Sequence, residues 1–200
     1  MPVLGVTGGI ATGKSSFTSR LLRHLPAELF DADACARDLL ADDAAIRQAV
    51  VAAFGAAVCD AAGNPDRPKL RTLVFDDSQK RRQLENILHP AIRDRWTERA
   101  AQLAREGGWF VVDIPLLFET RAEASFDHIV VVACSPATQR RRLAEQRGLS
   151  AALAEKIIAS QLDLPAKINQ AHHVIWNDST LTCLERQSRH LARWLRAAGG

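Results

Sequence analysis

A phosphate-binding motif near the start of the chain restricts the fold more than any other feature. Residues 8–15 read Gly-Gly-Ile-Ala-Thr-Gly-Lys-Ser and fit the pattern G-x-x-x-x-G-K-[ST]. An apolar run, Val3 to Val6, precedes the motif, and apolar residues recur at helical spacing over residues 17–25. The motif therefore lies between a predicted strand and a predicted helix, where its mechanism requires it.

The chemistry of this segment follows from its backbone. Glycines allow a tight turn around a phosphate, and the amide N–H groups then point at the anion, with the positive end of the helix dipole behind them. We expect Lys14 to reach the β- and γ-phosphates of ATP and the Ser15 hydroxyl to bind Mg²⁺. The alternative is a glycine-rich turn that binds nothing, and the strand–loop–helix context argues against it. The predicted ATP-binding residues here are Gly8, Gly9, Ile10, Ala11, Thr12, Gly13, Lys14, Ser15 and Ser16.

The remaining sequence alternates short apolar runs with longer helical patterns, which is typical of a parallel sheet covered by helices. Its 200 residues, 47% of them hydrophobic, suit one α/β domain. No apolar run approaches the roughly 20 residues of a membrane span. The first strand begins at once, which leaves no room for a signal peptide, so we expect a cytoplasmic protein with reduced cysteines. The net charge of +3 suits anionic small molecules as well as nucleic acid.

Two predicted strands end in acidic residues. Residues 28–33 read as a strand that ends in Asp31 and Asp33, which alternation places on one face. Because ligands gather at the carboxyl ends of strands in such sheets, Asp33 is a candidate to accept or orient the proton of an attacking hydroxyl. The residues alone favour equally a helix N-cap at Asp33. Asp113 follows the apolar run 109–112 and is either an acid that holds Mg²⁺ through water or a turn residue.

A helix-rich section lies between these strands. Helical patterns cover residues 67–75 and 80–88, and Pro90 is expected to begin another helix that runs to about Arg105. This section is predicted to be an insertion that holds a substrate, and the alternative is a solvated basic face. Its candidate anion contacts are Arg67, Arg71, Arg81, Arg82 and His89.

The last third contains two predicted strands and a pair of basic helices. After the apolar strand 126–134, Ser135-Pro136 begins a helix that Gly148 ends, and Ser150 caps a second helix that runs to Gln161. Such an arginine-rich pair suggests a lid that closes on phosphates, or else an exposed basic surface. Residues 173–176 form the fifth predicted strand and a closing helix covers about 181–195. His172 and His173, being adjacent, would point to opposite faces and are interpreted as structural.

Taken together, the motifs resemble the dephospho-coenzyme A kinase family over nearly the whole chain. The phosphate loop alone is shared by many kinases, but the order of the other motifs is more specific. The matching segments are Thr7 to Ser15, Asp31-Ala32-Asp33 with Arg37, Leu70-Arg71 with Phe75, Leu88-His89-Pro90, Asp113 to Glu119, Gln139 with Arg142, then Gln161, Lys167 and Asn177.

The resemblance implies an α/β P-loop NTPase fold of the nucleoside-monophosphate-kinase type, a five-stranded parallel sheet with a helical substrate-binding insertion and a lid. It implies one kinase domain, with a core at about 1–54, 108–135 and 170–200, a substrate-binding region at about 55–107 and a lid at about 136–165. It further implies transfer of the ATP γ-phosphate to the ribose 3′-hydroxyl of dephospho-coenzyme A, with Mg²⁺ as cofactor, no nucleic-acid or membrane partner, and a monomer.

The resemblance also assigns roles to particular residues. Asp33 matches the proposed general base, and Lys14 and Arg142 match residues that act on the transferred phosphate. The implied substrate contacts are Asp33, Arg37, Arg71, His89, Pro115 and Leu116, and the implied further ATP contacts are Arg142, Arg147 and Asn177. The chain departs from the family pattern at Ala11-Thr12, Gln146-Arg147, Ile157 and His172, mostly in the lid.

Three other functions are alternatives to this one. The first is a related enzyme that acts on another small acceptor, such as a nucleoside monophosphate. A GTP switch is disfavoured because the D-x-x-G string at residues 60–63 follows no convincing strand and no Asn-Lys-x-Asp motif occurs. Nucleic-acid binding through the helix that contains Arg140 to Arg147 lacks a recognition module and interleaved aromatic residues.

Overall fold

Parallel strands build the central sheet. The computed structural model describes residues 1–75, 77–104 and 107–198, and the side chain of Phe75 is outside that description. Within these residues the strands are β1 (Val3–Gly8), β2 (Ala27–Asp31), β3 (Trp109–Asp113), β4 (His128–Ala133) and β5 (His173–Trp176). Their order in the five-stranded sheet is β2-β3-β1-β4-β5. The α/β arrangement predicted from the alternating pattern is confirmed.

The strand register places the functional segments at one edge of the sheet. β1 pairs in parallel with both β3 and β4, with Val6 opposite Asp113 and Gly8 opposite Val132. β5 continues the sheet in parallel beside β4, with Trp176 opposite Ala133. The phosphate loop after β1, Asp113 at the end of β3 and the turn after β5 therefore leave the sheet at its carboxyl edge.

Helices make up most of the remaining described residues. They are α1 (Lys14–Leu21), α2 (Ala32–Asp42), α3 (Ala44–Phe54), α4 (Arg67–Phe75), α5 (Ser78–Leu103), α6 (Pro136–Arg147), α7 (Ala151–Ala159), α8 (Leu164–Asn169) and α9 (Leu181–Ala198). One buried cluster joins apolar residues of α1 and α9 to β1 and β4, including Phe17 and Leu195, which are fully buried. Each such side chain contributes about 1.5–3 kcal/mol on burial, so this face of the sheet is a main source of stability.

The helix ends follow the capping residues of the sequence. The side chain of Ser135 accepts a hydrogen bond from the Thr138 N–H at the start of α6, and Gly148 ends that helix in the left-handed conformation. Ser150 caps α7 through the Leu153 N–H, as predicted. The short helix α8 was not predicted. Its signal was Asp163, whose side chain caps it through the Ala166 N–H.

Two predicted boundaries were wrong. The second strand ends at Asp31, and α2 begins at Ala32, so Asp33 lies in the first turn of a helix. The Asp31 side chain accepts from the Ala34 N–H and is the N-cap, so the interpretation of Asp33 as an N-cap is also wrong.

The predicted break at Pro90 is absent, because α5 continues through it from Ser78 to Leu103. Proline removes one hydrogen bond, and a helix of this length tolerates that loss.

The chain divides into two compact units, residues 1–30 with 102–200 and residues 31–101. The sheet and its phosphate loop belong to the first, and α2 to α4 with most of α5 belong to the second. The sequence placed the start of the helical region at about residue 55, and the separation into core, substrate-binding region and lid stays a prediction. Among the described residues, no helix is long and apolar enough to cross a membrane.

At the outer edge of the sheet, a glutamine side chain binds the backbone of β5. The Trp176 N–H donates to Gln187 Oε1 at 3.1 Å, and Gln187 Nε2 donates to the Trp176 carbonyl at 2.9 Å. The neighbouring Asn177 N–H pairs with Ala133 on the other side. Gln187, on α9, therefore occupies a donor and an acceptor of the edge strand that face away from β4.

Candidate active site

The phosphate loop leads into α1 at Gly13, a position that no other residue type fits. Gly13 is the N-cap of α1 and has φ +91°, which side chains rarely adopt. A Cβ at this position would lie 2.2 Å from Nδ2 of Asn177. Both the dihedral angle and the close approach of Asn177 therefore demand glycine at the point where the loop becomes a helix.

Ala11 holds a strained conformation in the same loop. Its φ is +57°, in the left-handed region that costs a residue with a Cβ about 1–2 kcal/mol. This is one of the two positions where the chain departs from the family's loop pattern. Thr12, the other, is almost fully buried, and its hydroxyl donates to the Gly9 carbonyl at 2.8 Å. The backbone course of the loop is thus kept in spite of the alanine.

Two glutamines from the predicted lid bind the backbone of Ile10. The Ile10 N–H donates to Gln161 Oε1 at 2.9 Å, and Gln139 Nε2 donates to the Ile10 carbonyl at 2.9 Å. Gln139 lies on α6 and Gln161 follows α7. Both ends of the predicted lid segment are therefore attached to one residue of the phosphate loop.

Arg142 and Asn177 bind the loop's carbonyl groups. Arg142 donates to the carbonyls of Ala11 and Thr12 at 3.2 and 3.1 Å and to that of Asn177 at 2.8 Å. Asn177 Nδ2 donates to the Thr12 carbonyl at 2.8 Å. In this structure both side chains stabilise the loop conformation. The exposed Arg147, at the end of α6, makes no such contact among the described residues, and the direct ATP contacts of all three stay predictions.

Lys14 forms an ion pair with Asp113. Asp113 is 6% exposed, and its second oxygen accepts from the Thr18 hydroxyl at 3.1 Å. The two side chains that the sequence assigned to phosphate and magnesium are thus brought together at the carboxyl edge of the sheet. The sequence missed Thr18, although its position one helical turn after Lys14 places both on one face of α1.

The donor set here fits a magnesium ion. Ser15 and Ser16 are exposed in the first turn of α1, and Mg²⁺ prefers oxygen ligands such as hydroxyl groups, carboxylates and nucleotide phosphates. Among the described residues, no group of three or more His, Cys, Asp or Glu side chains could hold a metal. A magnesium ion would therefore be held by Ser15, by Asp113 through water and by the nucleotide's own phosphates.

A second ion pair lies beside the loop. Lys167 on α8 is fully buried, and its Nζ lies 2.8 Å from Glu119 Oε1 and 3.2 Å from the Pro115 carbonyl. The Pro115 carbonyl also accepts from the Thr7 hydroxyl at 3.1 Å. Pro115 and Leu116, predicted substrate contacts, are half-buried after β3. A lysine in the family pattern was the sequence signal for this site, but its burial was not predictable.

The unit of residues 31–101 contains the predicted catalytic base and most of the predicted substrate contacts. Asp33, in the first turn of α2, is exposed, and no hydrogen bond or ion pair joins its carboxylate to another described residue of this unit. Arg37 is exposed one turn later on the same helix, and Arg71 is exposed on α4. Their roles in substrate binding stay predictions.

His89, on α5, has different chemistry from an arginine. It is half-buried, and burial lowers the pKa of its imidazole, whereas the charge of Glu85 acts in the opposite direction. The neutral form of the ring is therefore favoured in the protein without ligand, and a neutral imidazole can donate a hydrogen bond to an anion.

Three further histidines lie at the edge of the sheet opposite the phosphate loop. His128 and His173 are the first residues of β4 and β5, at the amino edge of the sheet, with ring centroids 5.6 Å apart. The ring of His172 accepts from the Ile129 N–H at 2.9 Å, and Trp194 packs edge-on against both strand histidines. Their neighbours are aromatic rings, in keeping with the structural interpretation.

Comparison with known proteins identifies the same family along nearly the whole chain. The family model described as "Dephospho-CoA kinase" matches residues 2–182. The dephospho-CoA kinase of Bacillus thuringiensis subsp. konkukian is 39% identical over 194 residues, which are 96% of each protein.

Solved structures support the fold. A crystal structure of a Thermus thermophilus protein is 30% identical, with a TM-score of 0.79 over 100% of this chain and 98% of that one. The dephospho-CoA kinase of Campylobacter jejuni is 23% identical, with a TM-score of 0.64 over 97% of each chain, and this likeness bears on the fold alone. The P-loop kinase fold predicted from the motifs is confirmed.

Proposed function

Because this chain belongs to the dephospho-CoA kinase family, we propose that it transfers the γ-phosphoryl group of ATP to the ribose 3′-hydroxyl of dephospho-CoA. The products are CoA and ADP, which makes the reaction the last step of coenzyme A synthesis. One observation carries the proposal: an intact phosphate loop, with Lys14 paired to Asp113, within a chain that matches this family over residues 2–182.

The donor side of the reaction uses the first unit. The N–H groups at the start of α1 and the ammonium group of Lys14 bind the β- and γ-phosphates, and they offset the charge that moves to the leaving oxygen. Magnesium, when bound at Ser15, supplies further neutralisation of the phosphates. Lys14 exchanges its contact with Asp113 for the phosphates, which leaves the Asp113 carboxylate available to magnesium-bound water.

The acceptor side uses Asp33. Its carboxylate takes the proton of the 3′-hydroxyl as that oxygen forms a bond to the γ-phosphorus and the bond to the β–γ bridging oxygen breaks. The assignment of the N-cap to Asp31 supports this role, because helix capping no longer accounts for Asp33. Arg37, Arg71 and neutral His89 bind the remainder of dephospho-CoA, together with Pro115 and Leu116.

The predicted lid organises the loop. Arg142 holds the carbonyls of Ala11 and Thr12, so that the loop's N–H groups keep the orientation that phosphate binding needs. Arg147 is exposed at the end of α6 and is the candidate arginine that reaches the phosphates when ATP binds. Closure excludes water and limits ATP hydrolysis.

We also propose the cellular compartment of the reaction and the molecules that take part in it. Cys35, Cys59, Cys134 and Cys183 are free thiols, in keeping with a reducing cytoplasm. We propose that a monomer acts on ATP and dephospho-CoA with Mg²⁺, and that neither nucleic acid nor membrane takes part.

A panel of acceptors tests the function directly. ADP formation is measured with ATP and Mg²⁺ in the presence of dephospho-CoA, of each nucleoside monophosphate, or of no acceptor. We expect turnover with dephospho-CoA and only background rates with the others, and we expect the product to carry a 3′-phosphate by mass spectrometry and NMR. Preferred turnover of a nucleoside monophosphate, or binding of GTP in place of ATP, would contradict the proposal.

A further inference from the structure

The fully buried Lys167 links segments on both sides of the proposed reaction centre. Its Nζ lies 2.8 Å from Glu119 Oε1, 3.2 Å from the Pro115 carbonyl and 3.5 Å from the Gly8 carbonyl. An ammonium group has three N–H donors, and the site offers three acceptors. The side chain of Lys167 is 0% exposed, so water does not compete for these contacts.

The partners of Lys167 belong to two segments, the phosphate loop and the residues that follow β3. Gly8 is the last residue of β1 and the first of the phosphate motif, so it lies on the donor side. Pro115 follows β3 and begins the segment with the proposed contacts to dephospho-CoA. Glu119 Oε1 also accepts from the Leu162 N–H at 2.9 Å, which connects the same carboxylate to the chain after α7.

Stability is a poor explanation for a charged group in this position. Removal of an ammonium group from water carries a large desolvation penalty, and replacement of a buried ion pair by apolar residues of similar volume is often neutral or stabilising. The contacts of Lys167 to two backbone carbonyls fix the distance between the phosphate loop and the Pro115 segment.

We propose that Lys167 is a positioning residue for phosphoryl transfer, which holds the acceptor-side Pro115 segment in register with the phosphate loop. The inference rests on the proposed function for the identity of the acceptor. Its contacts to Gly8, Pro115 and Glu119 do not depend on which acceptor is used. Lys167 itself touches neither substrate.

The proposal makes a specific kinetic prediction. The loop N–H groups and Lys14 are unchanged when Lys167 is replaced, so ATP binding is largely kept. Alignment of the acceptor oxygen with the γ-phosphorus is lost, and a displacement of about 1 Å can reduce the rate by about 100-fold. We therefore expect Lys167→Met, which removes the ammonium group and keeps an unbranched side chain one atom shorter, to lower kcat by about 10- to 100-fold and to change the KM for ATP by less than about threefold.

A matched variant separates positioning from general destabilisation. Leu195→Ala removes a fully buried side chain of the core on α9 and lowers the melting temperature without touching the loop. Both variants are assayed at a temperature at which circular dichroism shows them folded. Equal kcat values for Lys167→Met and Leu195→Ala, or a loss confined to the KM for ATP, would overturn the proposal.

A second variant covers the case in which Lys167→Met does not fold. Glu119→Gln keeps an oxygen for Leu162 N–H and Lys167 but removes the charge, so the positioning contact is weakened and not abolished. We expect kcat to fall by about 3- to 10-fold with little change in melting temperature. Unchanged kcat in Glu119→Gln would also overturn the proposal.

The two hypotheses fail in different ways. If the wild-type enzyme prefers another acceptor, the proposed function is wrong, and the kcat ratio of Lys167→Met to wild type is then measured with that acceptor. If no acceptor in the panel is used, Lys167→Met and wild type are compared by amide hydrogen exchange, and unchanged protection of the phosphate loop and of the segment after β3 would overturn the proposal. A kcat ratio of Lys167→Met to wild type near one, with whichever acceptor is used, would show that Lys167 does not position the reactants.

Discussion

Asp31 and Asp33 stand two positions apart in the sequence and have different surroundings in the structure. The Asp31 carboxylate accepts a hydrogen bond from the Ala34 N–H at the start of α2, at 2.9 Å. Asp33 is exposed one residue inside the helix, in the first turn, where the helix dipole favours a negative charge. The sequence left capping and catalysis equally supported for Asp33, and the observed helix start removes the capping explanation.

Replacement of Asp33 tests the base directly. We expect Asp33→Asn to lower kcat by about 10²–10⁴-fold, the range for loss of a general base, with the affinity for ATP little changed. Steady-state turnover and ATP titration measure the two quantities. The control is Asp31→Asn, since asparagine caps helices about as well as aspartate and should leave kcat within about twofold. Near-wild-type turnover of Asp33→Asn would remove this residue from the mechanism.

Gly13 allows a second test at the residue scale. We expect Gly13→Ala to weaken ATP binding by at least about tenfold, because the new Cβ would meet Asn177 Nδ2 at 2.2 Å and displace the loop. Gly63→Ala is the matched control, since Gly63 also has positive φ, +81°, but nothing lies within 4 Å of its Cβ position. It should cost about 1–2 kcal/mol of stability and leave ATP binding unchanged. Isothermal titration calorimetry and urea unfolding report the two effects, and equal ATP affinities in the two variants would contradict the prediction.

Arg142 shows what the motif pattern could not predict. The family resemblance assigns it to the γ-phosphate, and the structure gives it three backbone carbonyl partners at the loop and at Asn177. The sequence predicts an arginine on a helix. It does not predict the hydrogen-bond partners of that long side chain, because these depend on how distant segments pack together. The burial of Lys167 was not predicted for the same reason, because this lysine lies on α8, a helix that the sequence analysis did not predict.

At the scale of single elements, α5 is the largest departure from expectation. Residues 78–103 form one helix, whereas the sequence predicted a helix that ends at Leu88 and another that begins at Pro90. A proline inside a helix lacks the N–H that would bind the carbonyl four residues earlier, here that of Asn86. The helix nevertheless continues, because Leu88, Ile92 and Trp96 are buried at helical spacing on both sides of Pro90.

Pro90 is expected to lower the free energy of unfolding of the protein. We expect Pro90→Ala to raise the free energy of unfolding by about 1–3 kcal/mol, since proline is about 3 kcal/mol less favourable than alanine within a helix. Urea unfolding followed by circular dichroism measures the change. The reference variant is Ala91→Gly, which should lower stability by about 1 kcal/mol at the next position. A loss of stability in Pro90→Ala would show that α5 requires the distortion that proline introduces.

Element ends with an unambiguous local signal were predicted well, and an end with two candidate signals was not. Ser135 with Pro136, Gly148 and Ser150 determine the ends of α6 and α7 through bonds within a few residues. The end of β2 was not predicted, although Asp31 caps α2 through the Ala34 N–H and is a local signal. Asp33 is an equally good capping residue by type, so the sequence does not decide between the two positions.

For the whole molecule, buried histidines link stability to pH. Burial lowers the pKa of His128, with a further contribution from His172, whereas Asp127 acts in the opposite direction. Burial also lowers the pKa of His173, as do His128 and His172. An unfolded chain binds protons at these side chains near about pH 6.5, and the folded protein binds them only at lower pH. Between those values the unfolded state holds more protons, so the free energy of unfolding falls as pH decreases.

Urea unfolding between about pH 7.5 and about pH 5.5 should therefore show decreasing stability over the lower part of this range. We expect the slope to be smaller in His128→Phe, which removes one titrating ring and keeps an aromatic contact to Trp194. Carboxylates such as Glu185, whose pKa is lowered by its hydrogen bond with His24, lose their contribution only at more acidic pH. Leu195→Ala should lower stability at every pH without changing the slope. An unchanged slope in His128→Phe would exclude His128 as a source of the pH dependence.

The hydrogen bonds between Gln187 and Trp176 have a consequence for how copies of the protein behave when crowded together. An outermost strand with free amide and carbonyl groups is a template on which a strand from another molecule can grow into an aggregate. β5 also exposes Val174 and Trp176, which are 40% and 47% accessible and would favour such growth. A single amide side chain satisfies the outward donor and acceptor of Trp176, and it thereby interrupts that template at the more exposed of these two apolar residues.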